Sequence, residues 1–280
     1  MSYRKRFRKL GLLLVFVGVL IMSFESSVIK FSTIGGWEFL FWLGITLFIS
    51  SLFMIAISSK KITFTHPKAL FASSLSMALS NICFVFAVKL TGISTTVLIL
   101  ATAPIISALL DLAITKKRTP NLLFVASIFV FIGLFIILKD SQKEINLVGV
   151  VLAFLVVFFF ALMYVILSNY PRIQRESQIA LSALLITFIS LWFVDYDFKL
   201  STLYPIFLMG FFIMPVSRLL IGNGSKFILS AEVGLLVILE SILAPIWGVL
   251  FLKEPLTTNT IIGGLIIIIS ILFYTIYSKK

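Results

Sequence analysis

About twenty consecutive apolar residues, coiled as an α-helix, reach across the roughly 30 Å hydrocarbon core of a lipid bilayer. This chain supplies such runs one after another. They fall at residues 10–30, 37–57, 69–89, 93–114, 121–138, 146–168, 178–194, 204–224, 232–252 and 260–277. The seventh is short, and Pro215 and Arg218 interrupt the eighth. Charged residues make up 12% of the chain and apolar residues 60%, where a soluble domain carries about 25% and 45–50%. That is too little charge to cover a water-facing surface. The expected fold is all-α and integral to the membrane, with ten transmembrane helices.

The cluster Arg4-Lys5-Arg6-Phe7-Arg8-Lys9 ahead of the first run resembles the start of a signal peptide. The run itself is longer than the 7–15 residues of such a peptide's apolar region, contains Glu25 and lacks a small-residue cleavage site. It reads as a retained first span.

A net charge of +12 would suit nucleic acid if the basic residues formed one continuous face. They stand instead in short clusters at the ends of the runs, the pattern of topology signals and of attraction to anionic lipid. With the N-terminus placed in the cytoplasm and the spans alternating, sixteen of the 23 lysines and arginines fall on the cytoplasmic side. Six fall outside: Lys30, Lys89, Lys139, Lys143, Lys199 and Lys253. Arg218 alone lies inside a run rather than at its end. The positive-inside rule thus favours an even number of spans, with both termini cytoplasmic and the protein in the cell inner membrane.

An internal repeat recurs at an offset of about 137–138 residues. Gly11-Leu-Leu-Leu returns as Gly149-Val-Val-Leu, Ala126-Ser127 corresponds to Gly263-Gly264, and Lys117 to Glu254. The polar stretch Lys139-Asp-Ser-Gln-Lys-Glu-Ile-Asn146 divides the chain into 1–140 and 141–280. Each part holds five spans, an odd number, so the second enters the membrane inverted relative to the first. Two inverted repeats of five helices are a transporter architecture, with the binding site near the midplane between them.

Carboxylates at membrane depth are costly and mark functional positions or structural pairs. Glu25 lies within the first run beside Ser23, Ser26 and Ser27, and Glu240 lies near the middle of the ninth. Both suit proton binding, and two acids on one cavity also suit a cationic solute. Arg218 could pair with Glu240 or Asp111, bind an anionic group, or extend to the interface. Asp111, five residues before Lys116, is expected to meet Lys116 or Arg118 at the interface. On the third run Ser73, Ser76 and Ser80 share one helical face, with Asn81 one step around it. Helix packing and site lining are both open readings for them. The tryptophans near run ends read as an interfacial belt. Trp247, seven residues after Glu240, is positioned to stack on a ligand. Pro104, Pro215 and Pro245 are expected to kink their helices.

Several function classes are excluded by count. With one cysteine and one histidine, the chain has neither an internal disulfide nor a histidine-based metal or catalytic centre. It contains no phosphate-binding glycine loop, zinc-protease signature or serine nucleophile elbow, so no cofactor and no catalytic role is expected.

The stretches Thr91-Gly-Ile-Ser-Thr-Thr-Val-Leu-Ile-Leu-Ala-Thr-Ala-Pro104 and Leu239-Glu-Ser-Ile-Leu-Ala-Pro-Ile-Trp-Gly-Val-Leu-Phe-Leu-Lys-Glu-Pro-Leu-Thr257 resemble the EamA branch of the drug/metabolite transporter superfamily. Ser23-Phe24-Glu25, with Trp37 and Phe41-Trp42, resembles a subgroup with an acid in its first span. Lys116-Lys117 departs from the Gly-Glu that many members carry. The resemblance implies a secondary transporter working by alternating access, with export the usual direction. The expected solute is a small polar or cationic organic metabolite, moved by a proton or solute gradient. Glu25 and Glu240 are the candidate proton or cation sites, with Asn81, Ser80, Trp247 and Arg218 beside them. Membrane lipid is the surrounding partner, and the chain acts as monomer or homodimer. A passive facilitator of the same fold is the alternative; a membrane-embedded enzyme is remoter.

Overall fold

A computed structural model describes residues 2–32, 34–57, 65–100, 102–116, 120–138, 146–195, 203–240, 243, 247 and 258–277. In chain order the helices are α1 (Ser2–Met22), α2 (Phe24–Phe31), α3 (Gly36–Ile57), α4 (Pro67–Leu100), α5 (Ala103–Thr115), α6 (Asn121–Leu138) and α7 (Leu147–Asn169). They continue with α8 (Arg175–Leu191), α9 (Leu203–Leu208), α10 (Met214–Gly224), α11 (Ser230–Val237) and α12 (Thr258–Tyr277). A π-helical turn, Met209–Ile213, joins α9 to α10. No strand occurs among the described residues.

Helix is the form dictated by the composition, because in lipid every backbone N–H and C=O must find a partner within its own segment. Gly36–Ile57, Pro67–Thr91, Leu147–Asn169 and Leu203–Gly224 are each long and apolar enough to cross a bilayer. Shorter apolar helices lie at Ala103–Thr115, Asn121–Ile136 and Ile261–Tyr274. Apolar side chains point outward as well as inward. Leu13, Phe53, Phe135, Phe188 and Ile269 are all exposed, which is unfavourable in water and suits contact with acyl chains. The interior packs Val15, Val19, Phe39, Leu43, Leu47, Tyr164, Ile186 and Ile221 into one core. Several buried hydroxyls are satisfied within their own helix: Ser76 donates to Ala72 O, Ser127 to Leu123 O and Ser190 to Ile186 O.

Three elements differ from the apolar-run reading. First, α1 begins at Ser2, so the basic cluster is already helical, and the first run breaks at Ser23. Second, α4 passes helically through the gap between the third and fourth runs. It does not pass straight: Ser80 bonds α7 at Val156 O and Thr91 lies against Gly149, yet Ile99 and Ala103 pack with Ala87, Ala153 and Val157. A straight helix would carry Ala103 about 24 Å beyond Ala87. The chain therefore doubles back after Thr91, where a reversal between two runs was expected. Third, the eighth run is not cut at Pro215 but accommodates it. Proline supplies no N–H, which frees the carbonyl four residues earlier. That carbonyl, Phe211 O, accepts the Ser50 hydroxyl from α3 at 2.6 Å. Pro104, similarly, stands second in α5, just past the end of α4. Pro245 lies outside the described residues.

The principal packing partners are α1 with α10, α3 with α8, α4 with α7, α5 with α11, and α6 with α12. Exchanging the helices before residue 139 for their counterparts after residue 146 maps this pattern onto itself. Glycines permit the closest approaches. A Cβ on Gly18 of α1 would stand 2.6 Å from the Ile221 side chain, and one on Gly133 of α6 would stand 2.7 Å from Gly263 O. Backbone contact of this kind is how helices associate without a hydrophobic driving force.

Candidate functional site

The helix break at Ser23 sets the geometry of the interior charges. Its hydroxyl turns back to Leu20 O at 2.7 Å and accepts the Trp247 indole N–H at 2.8 Å. The Trp247 ring stacks on Phe24, with centroids 4.3 Å apart. Glu25 then falls in the first turn of α2, facing α10.

On α10, after the π-helical turn and Pro215, Arg218 meets it. Arg218 Nη2 lies 3.0 Å from Glu25 Oε2, with the two side chains 9% and 3% exposed. Arg218 Nη1 donates to Met22 Sδ at 2.6 Å, and the Ser217 hydroxyl reaches Glu25 Oε1 at 3.4 Å. Arg218 thus pairs with Glu25, which was not among the expected partners Glu240 and Asp111. Desolvating two charges is costly, and their attraction offsets it only while both remain. Removing one partner of such a buried pair costs about 3–5 kcal/mol. The pair joins residues 193 positions apart.

Two further groups feel this pair. Glu240, buried just beyond α11, interacts electrostatically with Glu25 and Arg218. Tyr164 on α7 does the same, and also senses Arg175. The Tyr164 hydroxyl is buried and has no hydrogen-bond partner among the described residues; neither has Asn81 Nδ2.

The α4 serines are engaged in packing. Ser80 donates to Val156 O at 3.2 Å, Ser73 and Ser76 bond their own helix at Leu70 O and Ala72 O, and Ser74 crosses to Gln178 O at 3.0 Å. Asp111 is buried and accepts the Ser230 hydroxyl, and Arg118, one of its expected partners, lies outside the described residues. Lys89 Nζ donates to Ile34 O at 2.6 Å, and Glu38 accepts from Asp195 N at 3.0 Å. Lys117, Arg118, Lys253 and Glu254 lie outside the described residues.

Sequence reasoning passed over three residues. Glu232 on α11 binds Arg8 at 2.5 Å and accepts the Tyr274 hydroxyl at 3.2 Å and Leu229 N at 3.0 Å. This ties together the start of α1, the start of α11 and the end of α12. Arg175, 1% exposed, donates from Nη2 to Leu167 O at 2.7 Å, from Nε to Gly222 O at 2.8 Å and from Nη1 to Ile173 O at 3.3 Å. It closes the C-terminal turns of α7 and α10, where orphan carbonyls and the dipole favour a cation. Tyr164 is the third.

A lipid-facing exterior around a charged, hydrogen-bonded interior defines a multi-pass helical membrane protein. A model of the EamA-like transporter family matches residues 9–139 and again 147–276, and the chain belongs to that family. It is similar to the protein named "Uncharacterized transporter YwfM" of Bacillus subtilis (strain 168), 27% identical over 220 residues that span 75% of this chain and 74% of that one. A solved structure titled "Crystal structure of protein" shares the fold, with a TM-score of 0.82 over 96% of this chain and 97% of that one at 13% identity. The family points to a membrane transporter of a small-molecule solute rather than an enzyme.

Proposed function

We propose that this protein is a secondary active transporter of ten transmembrane helices in two inverted repeats of five, residues 1–140 and 141–280. It moves a small polar or cationic organic metabolite across the cell inner membrane by alternating access, and both termini are cytoplasmic. The observation that carries the reading is the buried Glu25–Arg218 pair, which joins a helix of the first repeat to one of the second, with Glu240 close enough to interact with both. The self-matching helix pairing supports the repeat, and the break at Ser23 with the π-helical turn before Arg218 supports a site built on interrupted helices.

Glu25 and Glu240 take up protons or, where the solute is cationic, its charged group, and in that second case solute and proton compete for the same carboxylates. Asn81 and Trp247 line the route, and Ser80 holds α4 to α7 beside them. The chain works as monomer or homodimer without a cofactor. Reconstituted in proteoliposomes, it gives solute flux that responds to an imposed pH gradient, and Glu25→Gln and Glu240→Gln each abolish that response while inserting normally. Wild-type pH-dependent flux in both variants refutes the assignment. Flux indifferent to pH in the unmodified protein indicates a passive facilitator.

A further inference from the structure

Glu25 uses only part of what Arg218 can donate. A guanidinium carries five N–H donors. Among the described residues one goes to Glu25 Oε2 and one to Met22 Sδ, a weak acceptor. Tyr164 is 1% exposed, and its hydroxyl has no partner among the described residues. A buried hydroxyl left without a partner is unfavourable, and its persistence near a guanidinium points to a ligand that completes it.

Arg175 brings the helices that carry Tyr164 and Arg218 together. That single guanidinium binds Leu167 O of α7 and Gly222 O of α10, at 2.7 and 2.8 Å. Leu167 stands three residues after Tyr164 and Gly222 four after Arg218, so each lies one turn from the clamped carbonyl on the same face of its helix. The clamp keeps α7 and α10 one guanidinium apart at this level. The interaction of Tyr164 with both Arg218 and Glu25 agrees with that geometry.

We infer that Arg218 and Tyr164 form the subsite for a carboxylate of the transported solute, which replaces Glu25 at the guanidinium when Glu25 takes a proton. This rests on the transport reading above and deepens it. A planar carboxylate accepts from the guanidinium fork and from a phenolic hydroxyl together. It does not enter beside a charged Glu25, because two carboxylates on one buried cation, with Glu240 near, repel strongly at low dielectric. Protonated, Glu25 is neutral and the incoming carboxylate restores the single negative charge at Arg218. When the solute leaves, Glu25 pairs again and gives up its proton. Solute and proton therefore bind together and cross together, opposite in sign to the competition expected of a cation.

The test uses purified full-length protein in lipid nanodiscs and a thermal-shift panel of shape-matched carboxylates, their amides and their amines, over several side-chain sizes, at pH 6 and pH 8. Stabilisation is expected from carboxylates and not from the matching amides. Binding tightens toward pH 6 by up to about tenfold per pH unit, the slope of one proton taken up. Tyr164→Phe weakens carboxylate binding roughly tenfold, as loss of one charge-assisted hydrogen bond does. Glu25→Gln binds the carboxylate with equal affinity at both pH values. Stabilisation by amines that tightens toward pH 8 overturns the carboxylate subsite while leaving the transport reading intact. Stabilisation by amides as strong as by carboxylates also overturns it, and no stabilisation by any compound at either pH overturns both. In each arm the unmodified protein decides the matter, so a variant that fails to fold does not shield the inference.

Discussion

Replacing Arg175 by leucine removes the clamp between α7 and α10 while keeping an apolar stem of similar reach. Two short hydrogen bonds are lost, to Leu167 O and Gly222 O, together with the longer one to Ile173 O. Bonds from a charged donor contribute about 1.5–3 kcal/mol each, so the two short ones amount to about 3–6 kcal/mol. Relief from burying a guanidinium offsets part of this, leaving a net loss of about 3 kcal/mol. At roughly 2–4 °C per kcal/mol for a chain of this order of size, the melting temperature falls by about 6–12 °C. The assay is intrinsic tryptophan fluorescence or loss of the monodisperse chromatographic peak on heating in detergent. Arg175→Lys keeps the charge without the planar fork and falls between the two. A leucine variant melting within about 1 °C of the unmodified protein refutes the role given to the clamp.

Other substitutions test neighbouring parts of the argument. Ser50→Ala leaves Phe211 O without its donor beside Pro215 and costs about 1–3 kcal/mol, read as a lower melting temperature; no change means that carbonyl has another partner. Gly133→Leu drives a side chain into Gly263 O, 2.7 Å from where its Cβ would sit, and sharply lowers the yield of folded protein. A normal yield refutes close packing of α6 on α12. Trp247→Phe keeps the ring on Phe24 but removes the indole bond to Ser23. It costs about 1 kcal/mol, and its fluorescence spectrum loses the contribution of a buried, hydrogen-bonded indole; an unchanged spectrum argues against the contact.

The apolar runs carried the all-helical, membrane-embedded character of the fold, because that character follows from the bilayer itself. Glu25, Glu240 and Arg218 stood out for the same reason, as charges within apolar runs. Their pairing did not, since spacing along one run reveals a shared face of that helix but not which distant helix opposes it. Arg175 was hidden by its surroundings: it sits in a polar gap near Arg172, where an arginine reads as a topology signal. Tyr164 was hidden by the reverse effect, an aromatic residue among many in an apolar run. Glu232 stood at a run's edge, where acids are unremarkable, and only the fold brings Arg8 and Tyr274 to it. The reversal past Thr91 was expected from the gap between two runs and from Gly92. That the backbone stays helical through it was not, because a glycine there reads equally as a loop.

The reciprocal pairing of helices has a consequence for how the protein is made. Nearly every principal contact joins a helix from before residue 139 to one from after residue 146. When the first of these sets has entered the bilayer, the surfaces that α10, α8, α7, α11 and α12 will cover still face lipid, with Ser50, Glu25 and Arg8 lacking the partners that later satisfy them. Insertion therefore precedes assembly, and the early helices wait, spread and exchangeable, until translation delivers their complements. A ribosome pausing between the two sets would expose unpaired membrane charges to quality-control proteases, whereas the same sets supplied as separate chains would still hold everything needed to find each other.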